Sequence, residues 1–145
     1  MRKIKFRGLR KDGKGWIYGC LINNAFFNSK TKHSIPYIFN PEECDDDDGW
    51  EYFDDDYGYY EVIPETVSMY SSFRDRFGDW IYEGDIVLFL NTSFKYKVVF
   101  IDGCFKLIHI GEHKVLGVWG SIRRAFDFGF KLQVIGNIHE NGGLI

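Results

Sequence analysis

The sequence predicts a mainly β protein, and three observations support this prediction. Aromatic residues make up 19% of the 145 residues, and aromatic side chains favour the pleated, half-buried surface of a sheet. Apolar residues recur at every second position in several segments, whereas no segment sustains the 3.6-residue period of an amphipathic helix. Sixteen glycines and only three prolines suit tight turns between short strands.

The N-terminal region, residues 1–65, predicts a β-hairpin or arm. Residues 4–7 alternate apolar and basic side chains, Asp12-Gly13 provides a turn, and residues 16–22 return as the second strand. Residues 30–41 contain two prolines and predict irregular structure or a short edge strand at residues 37–39.

Charge is divided unevenly along the chain. Residues 1–41 contain nine Lys or Arg and one acid, residues 42–65 contain twelve acids and no base, and the whole chain carries −3. Because like charges repel, the segment of residues 42–56 predicts a solvated acidic loop inserted in the N-terminal region. Its aspartates are Asp45, Asp46, Asp47, Asp48, Asp54, Asp55 and Asp56.

Three functional readings of this acidic segment compete with the solvated loop. The first is a calcium loop of the EF-hand type, and the sequence does not match it. With Gly49 at the sixth position of such a loop, Cys44 would occupy the first position, where an oxygen ligand is required. Weak cation binding by the clustered carboxylates is still compatible with the sequence. Docking against the basic N-terminal arm is the second. The third is phosphate mimicry toward a DNA-binding partner, anchored by Trp50, Tyr52 and Phe53.

The C-terminal region, residues 66–145, predicts a β-rich core that forms one compact unit with the N-terminal region. Residues 66–71 alternate with period two, and the turn of residues 83–85 leads into the apolar run of residues 86–90, which predicts a buried strand. Asp102-Gly103 separates two alternating segments and is the clearest hairpin signal in the chain.

The end of the chain predicts at most one short helix. Ser121 is a helix-capping residue, and Ile122 and Phe126 are spaced four apart, which suits a single helical turn. From Phe126 to Val134 apolar residues alternate with polar ones and glycine, so this segment predicts a long strand with one buried face.

Four segments, in order along nearly the whole chain, make it resemble the YopX family, small proteins carried by bacteriophages and prophages. They are Ile4–Arg7 with Ile17–Gly19, Thr66-Val67 with Tyr70, Ile81–Val87, which is the most specific, and Val134–Asn141. The resemblance implies a mainly β fold with a barrel-like, SH3-like C-terminal part and a phage-derived origin. It supplies no activity and no active-site residues.

The chain departs from the family pattern at two places. Family members often have a Tyr-Thr-Gly-Leu turn before the third segment, whereas here Ser71-Ser72-Phe73 follows Tyr70. The acidic segment looks like an insertion.

His109, Glu112 and His113 match the letters of the H-x-x-E-H zinc peptidase motif. That chemistry requires both histidines on one helical face. The flanking residues alternate as strands do, and Gly111 would cost a helix about 1 kcal/mol. We therefore expect a hairpin turn with surface histidines, no metal and no cofactor, and a metal-dependent hydrolase is the most distant alternative.

Carboxylates cluster near the turn before the third family segment, at Asp79, Glu83 and Asp85. Paired carboxylates can serve acid–base catalysis, but in a turn they more often bind backbone N–H groups. We expect the turn role and no catalytic residue.

Basic residues flank tryptophans at three places, and they form the candidate binding surface. Such pairs can hold a nucleic-acid backbone and stack its bases. In the alternative, which we favour, the tryptophans belong to the core and the arginines solvate their rims. The residues are Arg7, Arg10 and Lys14 near Trp16, Arg74 and Arg76 near Trp80, and Arg123 and Arg124 after Trp119.

These patterns predict a non-enzymatic module of the host bacterial cytosol. Three widely spaced cysteines without a CxxC pair argue against a disulfide framework, and the longest apolar run is far too short to cross a membrane. We expect binding to an unknown protein partner, with nucleic acid as the main alternative. Exposed sheet edges also make a homo-oligomer plausible.

Overall fold

The computed structural model describes residues 4–28, 33–40, 58–111 and 117–144, with side chains over the same ranges except for residues 24–28, 33 and 34. Eleven strands and one α-helix lie in the described residues, so the prediction of a mainly β protein with at most one short helix is confirmed. The chain divides into two compact units, residues 1–69 and 70–145.

The N-terminal unit is an antiparallel sheet in the order β4-β3-β2-β1, and the start of β5 pairs with β1 at Met69 and Ser68. The predicted hairpin of β1 and β2 is confirmed. The segment of residues 37–39 is not an edge strand, since β3 pairs with both β2 and β4. The strands are β1 Phe6–Leu9, β2 Trp16–Asn28, β3 His33–Phe39, β4 Tyr59–Glu61 and β5 Ser68–Arg74, which crosses into the second unit.

A small apolar core holds these strands together. Ile17, Ile38 and Val62 are at most 1% exposed and form its centre. β2 and β3 approach so closely that a Cβ on Gly19 would lie 2.0 Å from the backbone oxygen of Phe39, so only glycine fits at this position. Partly buried apolar side chains complete the core: Phe6, Leu21, Tyr60 and Val67.

The C-terminal unit is built on a five-stranded antiparallel sheet in the order β10-β9-β8-β7-β11. The part of β5 from Tyr70 onward pairs with β6 beside it. Within the described residues the five-stranded sheet is open, and no closed barrel forms. The elements are β6 Trp80–Tyr82, β7 Asp85–Phe89, β8 Lys95–Ile101, β9 Cys104–Ile110, β10 Val118–Ser121, α1 Ile122–Asp127 and β11 Leu132–Asn137.

Two turn predictions in this unit are confirmed. Asp102 and Gly103 join β8 and β9, and both have positive φ, 53° and 75°, as a type I′ hairpin turn requires. Ser121 caps α1, since its hydroxyl accepts a hydrogen bond from the N–H of Arg124 at 3.1 Å.

The predicted long strand from Phe126 to Val134 is wrong at its start. Helix α1 extends to Asp127, residues 128 and 129 form a turn, and β11 begins only at Leu132. Burial of Ile122 and Ala125 anchors the helix. Of the phenylalanines whose alternation suggested a strand, Phe126 lies in the helix, Phe128 in the turn and Phe130 between the turn and β11.

The third and fourth family segments are paired in space. β7 and β11 run antiparallel with Asp85 opposite Asn137 and Val87 opposite Val134. Gly84 has φ +82°, a conformation that favours glycine. Its N–H donates to Val98 and its carbonyl accepts from Ile138, so this one turn joins β8 to the C-terminal segment.

Candidate binding surface

The basic residues of the first turn interact mainly with their own unit. Arg7 is only 6% exposed, and its guanidinium lies 4.6 Å from the ring centre of Trp16. Arg10 stacks on Tyr60 at 3.9 Å and forms an ion pair with Asp12 at 2.6 Å. The hydrogen bond from Arg10 lowers the pKa of the Asp12 carboxyl. These contacts favour the rim role predicted for Arg7 and Arg10.

Three further basic side chains of the candidate surface are exposed, two of them in turns and Arg74 at the end of β5. Lys14 is exposed, and its backbone N–H donates to Asp12. Arg74 is exposed and lies 5.3 Å from the ring centre of Trp80. Arg76 is also exposed, while its backbone N–H donates to the carbonyl of Leu132.

Aromatic side chains of the C-terminal unit form a connected surface that we call the aromatic patch. Phe89 lies at its centre and stacks on Phe130 at 4.8 Å, with the edge of Trp119 at 5.3 Å. Phe128 meets Trp119 at 6.5 Å. The patch comprises Phe89, Phe94, Tyr96, His109, Trp119, Phe128 and Phe130.

Much of the aromatic patch is open to solvent. Phe128 is 66% exposed, Phe94 42% and Phe130 40%, whereas Phe89 beneath them is 3% exposed. Strand ends and turns bring these rings together, since Phe94 precedes β8 and Phe130 precedes β11. The sequence pattern did not indicate the patch, because the alternation from Phe126 to Val134 predicted that Phe128 and Phe130 lie on the buried face of a strand.

Arg124 contacts the aromatic patch, whereas Arg123 does not. The guanidinium of Arg124 lies 5.4 Å from the ring centre of Phe128 and 6.0 Å from that of Trp119. Arg123 instead forms an ion pair with Asp127 at 3.1 Å on the exposed side of α1. Among the described residues, Arg124 has no carboxylate partner, so its positive charge remains available at the patch.

Two lysines flank the aromatic patch along the chain. Lys95 follows Phe94, and its backbone pairs with Leu88 and Ile110. Lys131 follows Phe130, and its carbonyl accepts from the N–H of Leu90. Because successive side chains of a strand point to opposite faces, Lys95 lies on the face of the sheet away from Tyr96 and His109. The positive charge seen at the patch is that of Arg124.

His109 lies in the aromatic patch but not in a helix. It belongs to β9 and is 9% exposed, so the prediction of a surface histidine is wrong at this position. The rings of Phe94 and Tyr96 meet its imidazole edge to face at 5.8 and 5.4 Å. Glu112 and His113, the other letters of the zinc motif, lie outside the described residues.

Among the carboxylates near the third family segment, Asp85 has a structural partner. Asp85 is 1% exposed and accepts the N–H of Tyr82 at 2.7 Å. This is the turn role that the sequence predicts. Within the described ranges, no group of three or more His, Cys, Asp or Glu side chains is arranged to share a metal ion.

Asp45 to Asp48 and Asp54 to Asp56 lie outside the described residues. No helix in the described part of the chain is long and apolar enough to cross a membrane.

The comparison with protein families gives a match that covers the segments on which the resemblance rests. The model of the YopX protein family matches residues 5–145, which is essentially the whole chain. No protein with curated annotation matches the chain. The predicted family is thereby confirmed, and this chain belongs to the YopX family.

Proposed function

We propose that this YopX protein is a non-enzymatic binding module that engages a protein partner through the aromatic patch. The observation that carries the proposal is the exposure of Phe128, Phe94 and Phe130 at 66, 42 and 40%, with the guanidinium of Arg124 beside Phe128. A contiguous exposed apolar surface on a folded unit is typical of an interaction site. Aromatic and arginine side chains supply most of the binding energy in protein interfaces.

The rigidity of its base further supports the patch as a docking surface. Phe89 and Tyr96 are 3 and 4% exposed and lie 4.5 Å apart, so the open rings rest on a packed layer. A preorganised surface loses little conformational entropy when a partner binds.

The absence of catalytic activity is part of the proposal, and the roles of the titratable groups support it. Asp85 is buried and occupied with the N–H of Tyr82. His109 lies in strand β9 and not in the helix that the H-x-x-E-H motif requires.

Nucleic acid is the rival ligand, and the contacts of the basic residues support it less well. Arg7 is buried, and Arg10 and Arg123 form ion pairs with Asp12 and Asp127. A nucleic-acid surface needs several cations free to meet phosphates, and these three are already engaged.

We also propose that the C-terminal unit is an SH3-like fold and that the protein is a phage-derived protein of the host cytosol. In an SH3-like barrel of five strands the first and last strands are neighbours, and a short helix precedes the last one. The order β11-β7-β8-β9-β10, with α1 before β11, supports this fold. The free thiols of Cys20 and Cys104 suit a reducing compartment.

The test compares two variants of the full-length chain. Phe128→Ser removes the most exposed ring of the patch, and Phe77→Ser removes an equally exposed ring outside it, 67% against 66%. Each variant and the wild type are immobilised, exposed to nuclease-treated bacterial lysate, and the retained proteins are identified. We expect the same proteins on wild type and Phe77→Ser, and their loss on Phe128→Ser.

Two results would overturn the proposal. Retention of the same proteins by all three chains would show that the patch is not the binding surface. Filter binding of DNA or RNA by wild type that weakens steeply between about 50 and 200 mM salt and is lost in Phe128→Ser would assign the patch to nucleic acid.

A further inference from the structure

We propose that the C-terminal unit carries a second binding site, on the face of its sheet away from Tyr96 and His109, and that this site binds double-stranded DNA along the minor groove. The site shares no side chain with the aromatic patch. The inference therefore goes beyond the proposed function and does not depend on it.

The two faces of β8 and β9 differ in burial. Successive side chains of a strand point to opposite faces, and on one face Tyr96, Val98 and Leu107 are at most 4% exposed. The alternate positions on the other face are only partly buried. We call this site the lysine face, and it consists of Lys95 and Lys97 of β8, Lys106, Ile108 and Ile110 of β9, and Leu88 of β7.

The charge on the lysine face is positive. In the described residues no Asp or Glu lies on this face of β7, β8 or β9, and neither Lys95 nor Lys97 has an ion pair. Lys106 pairs with Asp102 at 3.1 Å, but that carboxylate is 81% exposed. Because an exposed ion pair contributes little free energy, Lys106 can exchange this partner for a phosphate.

The three lysines form a narrow row with aliphatic neighbours. Lys95 and Lys97 are two residues apart on one strand, which separates them by about 7 Å. Lys106 pairs with Val99 and is therefore diagonal to Lys97, at about 7–8 Å. Leu88 and Ile110 stand on either side of Lys95.

The aliphatic neighbours make the lysine face unusual. The open face of an antiparallel sheet is commonly polar, whereas here Leu88, Ile108 and Ile110 lie between or beside the lysines. Ile86, opposite Lys97 on β7, is 0% exposed, so the site is closed on that side. A matching ligand needs two features, a line of negative charge and less polar surface next to it.

The minor groove of B-form DNA has both features. It is about 6 Å wide, it concentrates negative potential that attracts lysine, and its walls are sugars. Neighbouring strands are about 4.8 Å apart, so lysines of β8 placed over the groove bring the aliphatic side chains of β7 and β9 to its walls. Sheets bind DNA grooves in several known architectures, and leucine and isoleucine are among the apolar side chains that contact the minor groove.

Other polyanions match the lysine face less well. Single strands are held by stacking of their bases on aromatic side chains, and the lysine face has none. The minor groove of duplex RNA is wide and shallow, so one narrow row of lysines would not span it. A second copy of the same face would place lysine against lysine.

Fluorescence anisotropy of a labelled A·T-rich duplex of about 20 base pairs, titrated with the full-length chain, tests the proposal. The whole chain carries −3, so we expect only moderate affinity, with a Kd on the order of 10 µM at about 50 mM salt. The logarithm of the binding constant should fall against the logarithm of salt with a slope of about −2.7, which is about −0.9 for each lysine.

Matched variants locate the site. Lys97→Gln should weaken binding on the order of tenfold and make the salt slope shallower by about 0.9, and Lys95→Gln should do the same. Lys14→Gln removes the same charge from an exposed position in the N-terminal unit and should leave both quantities unchanged. Phe128→Ser should bind the duplex as wild type does, because Phe128 lies outside the lysine face. Thermal unfolding of each variant ensures that a loss of binding is not a loss of the fold.

A G·C-rich duplex and two further probes identify the ligand. The guanine amino group changes the floor of the minor groove, so the G·C-rich duplex should bind at least about threefold more weakly. Oligothymidine and an RNA duplex of equal length should also bind more weakly. Equal binding of any of these three would overturn the minor-groove assignment, and tighter binding of polyglutamate would assign the lysine face to an acidic protein.

Two further results would overturn the inference: no binding of the duplex at about 100 µM protein, or equal loss in Lys97→Gln and Lys14→Gln. Either result, together with Phe128-dependent retention of lysate proteins, would leave the proposed function standing. DNA binding that depends on Lys97 without such retention would remove the proposed function and keep this site.

Discussion

At the scale of single residues, the carboxylate of Asp75 connects two elements of the C-terminal unit. One oxygen accepts the N–H groups of Phe77 and Asp79 at 2.8 and 2.9 Å, and the other accepts the N–H of Val134 on β11 at 2.9 Å. The residue is 7% exposed and its three hydrogen bonds are partly buried, so loss of the acceptor would leave these N–H groups poorly hydrated. The turn between β5 and β6 is thereby fixed to the edge of β11.

We therefore expect Asp75→Asn to lower the free energy of unfolding by about 2 kcal/mol or more. An amide keeps one acceptor but turns an N–H₂ group toward a backbone N–H. Urea denaturation measures the loss. Asp79→Asn, an exposed acid in the same turn, is the control and should change stability by less than about 0.5 kcal/mol. Equal losses in the two variants would show that the carboxylate bonds do not hold the turn.

The burial of Tyr96 at the base of the aromatic patch predicts that the folded protein loses stability at alkaline pH. The side chain is 4% exposed, and burial raises the pKa of its hydroxyl, because the tyrosinate form would lose its hydration. The unfolded chain then releases this proton more readily than the folded one. Its contribution is fully present below the unfolded pKa of about 10 and is lost as pH rises through the folded pKa.

The measurement is the free energy of unfolding as a function of pH. Wild type should lose stability above about pH 10, and Tyr96→Phe, which cannot ionise, should lose less over the same interval. Tyr59→Phe is the control, since Tyr59 is 43% exposed and its removal should leave the steep alkaline loss in place. Identical alkaline slopes for wild type and Tyr96→Phe would contradict the prediction.

At the scale of elements, the C-terminal family segment ends in a turn organised by one amide. The Oδ1 of Asn137 accepts the N–H groups of His139 and Glu140, both at 3.0 Å, and its Nδ2 donates to the Oε2 of Glu140 at 2.9 Å. Asn137 also stands opposite Asp85 in the β7–β11 ladder. The amide therefore fixes how the chain leaves β11.

A swap of donor and acceptor tests this arrangement. Asn137→Asp should cost about 1–3 kcal/mol of unfolding free energy, because two carboxylates would face each other where a hydrogen bond was. Adding Glu140→Gln should recover part of the loss, since the glutamine amide can donate to the new carboxylate. Stability of the two single variants and the double variant, measured by denaturation, gives the coupling. A purely additive double variant would show that the Asn137–Glu140 bond is not responsible.

Elements with a local chemical signal were predictable, and those set by tertiary burial were not. Asp102-Gly103 and Ser121 act through their own backbone geometry and capping, so the sequence alone located the β8–β9 turn and α1. The alternation from Phe126 to Val134 gave a wrong prediction of a buried strand face. A repeat of apolar residues at every second position does not show whether other elements cover the aromatic rings. Phe128 and Phe130 remain exposed.

The candidate site was predictable to the same limited extent. The sequence predicted contacts between arginines and tryptophans, because these residues occur near one another along the chain. In the structure Arg7, Arg74 and Arg124 lie over tryptophan rings. The aromatic patch could not be predicted from the sequence, since Phe89, Phe94 and Phe130 are far apart along the chain. Their proximity depends on the sheet order of β7, β8 and β11.

At the scale of the whole molecule, each compact unit has its own apolar core. The N-terminal core centres on Ile17, Ile38 and Val62. The C-terminal unit buries a larger set, in which Leu107 and Val98 are 0% exposed. A unit with its own core is expected to unfold cooperatively by itself.

The last prediction is that the C-terminal unit folds without the rest of the chain. A fragment of residues 70–145, matching the unit boundary, should give a single cooperative urea transition. In the full chain, Leu107→Ala should lower the stability of this unit by about 2–5 kcal/mol, seen as faster amide hydrogen exchange in β8 and β9. Ile17→Ala, the matched change in the other core, should speed exchange in β1 and β2 and leave β8 and β9 protected. Exchange that rises equally in both units with either change would mean that the two cores unfold as one, and the stability of the aromatic patch would then depend on the N-terminal unit as well.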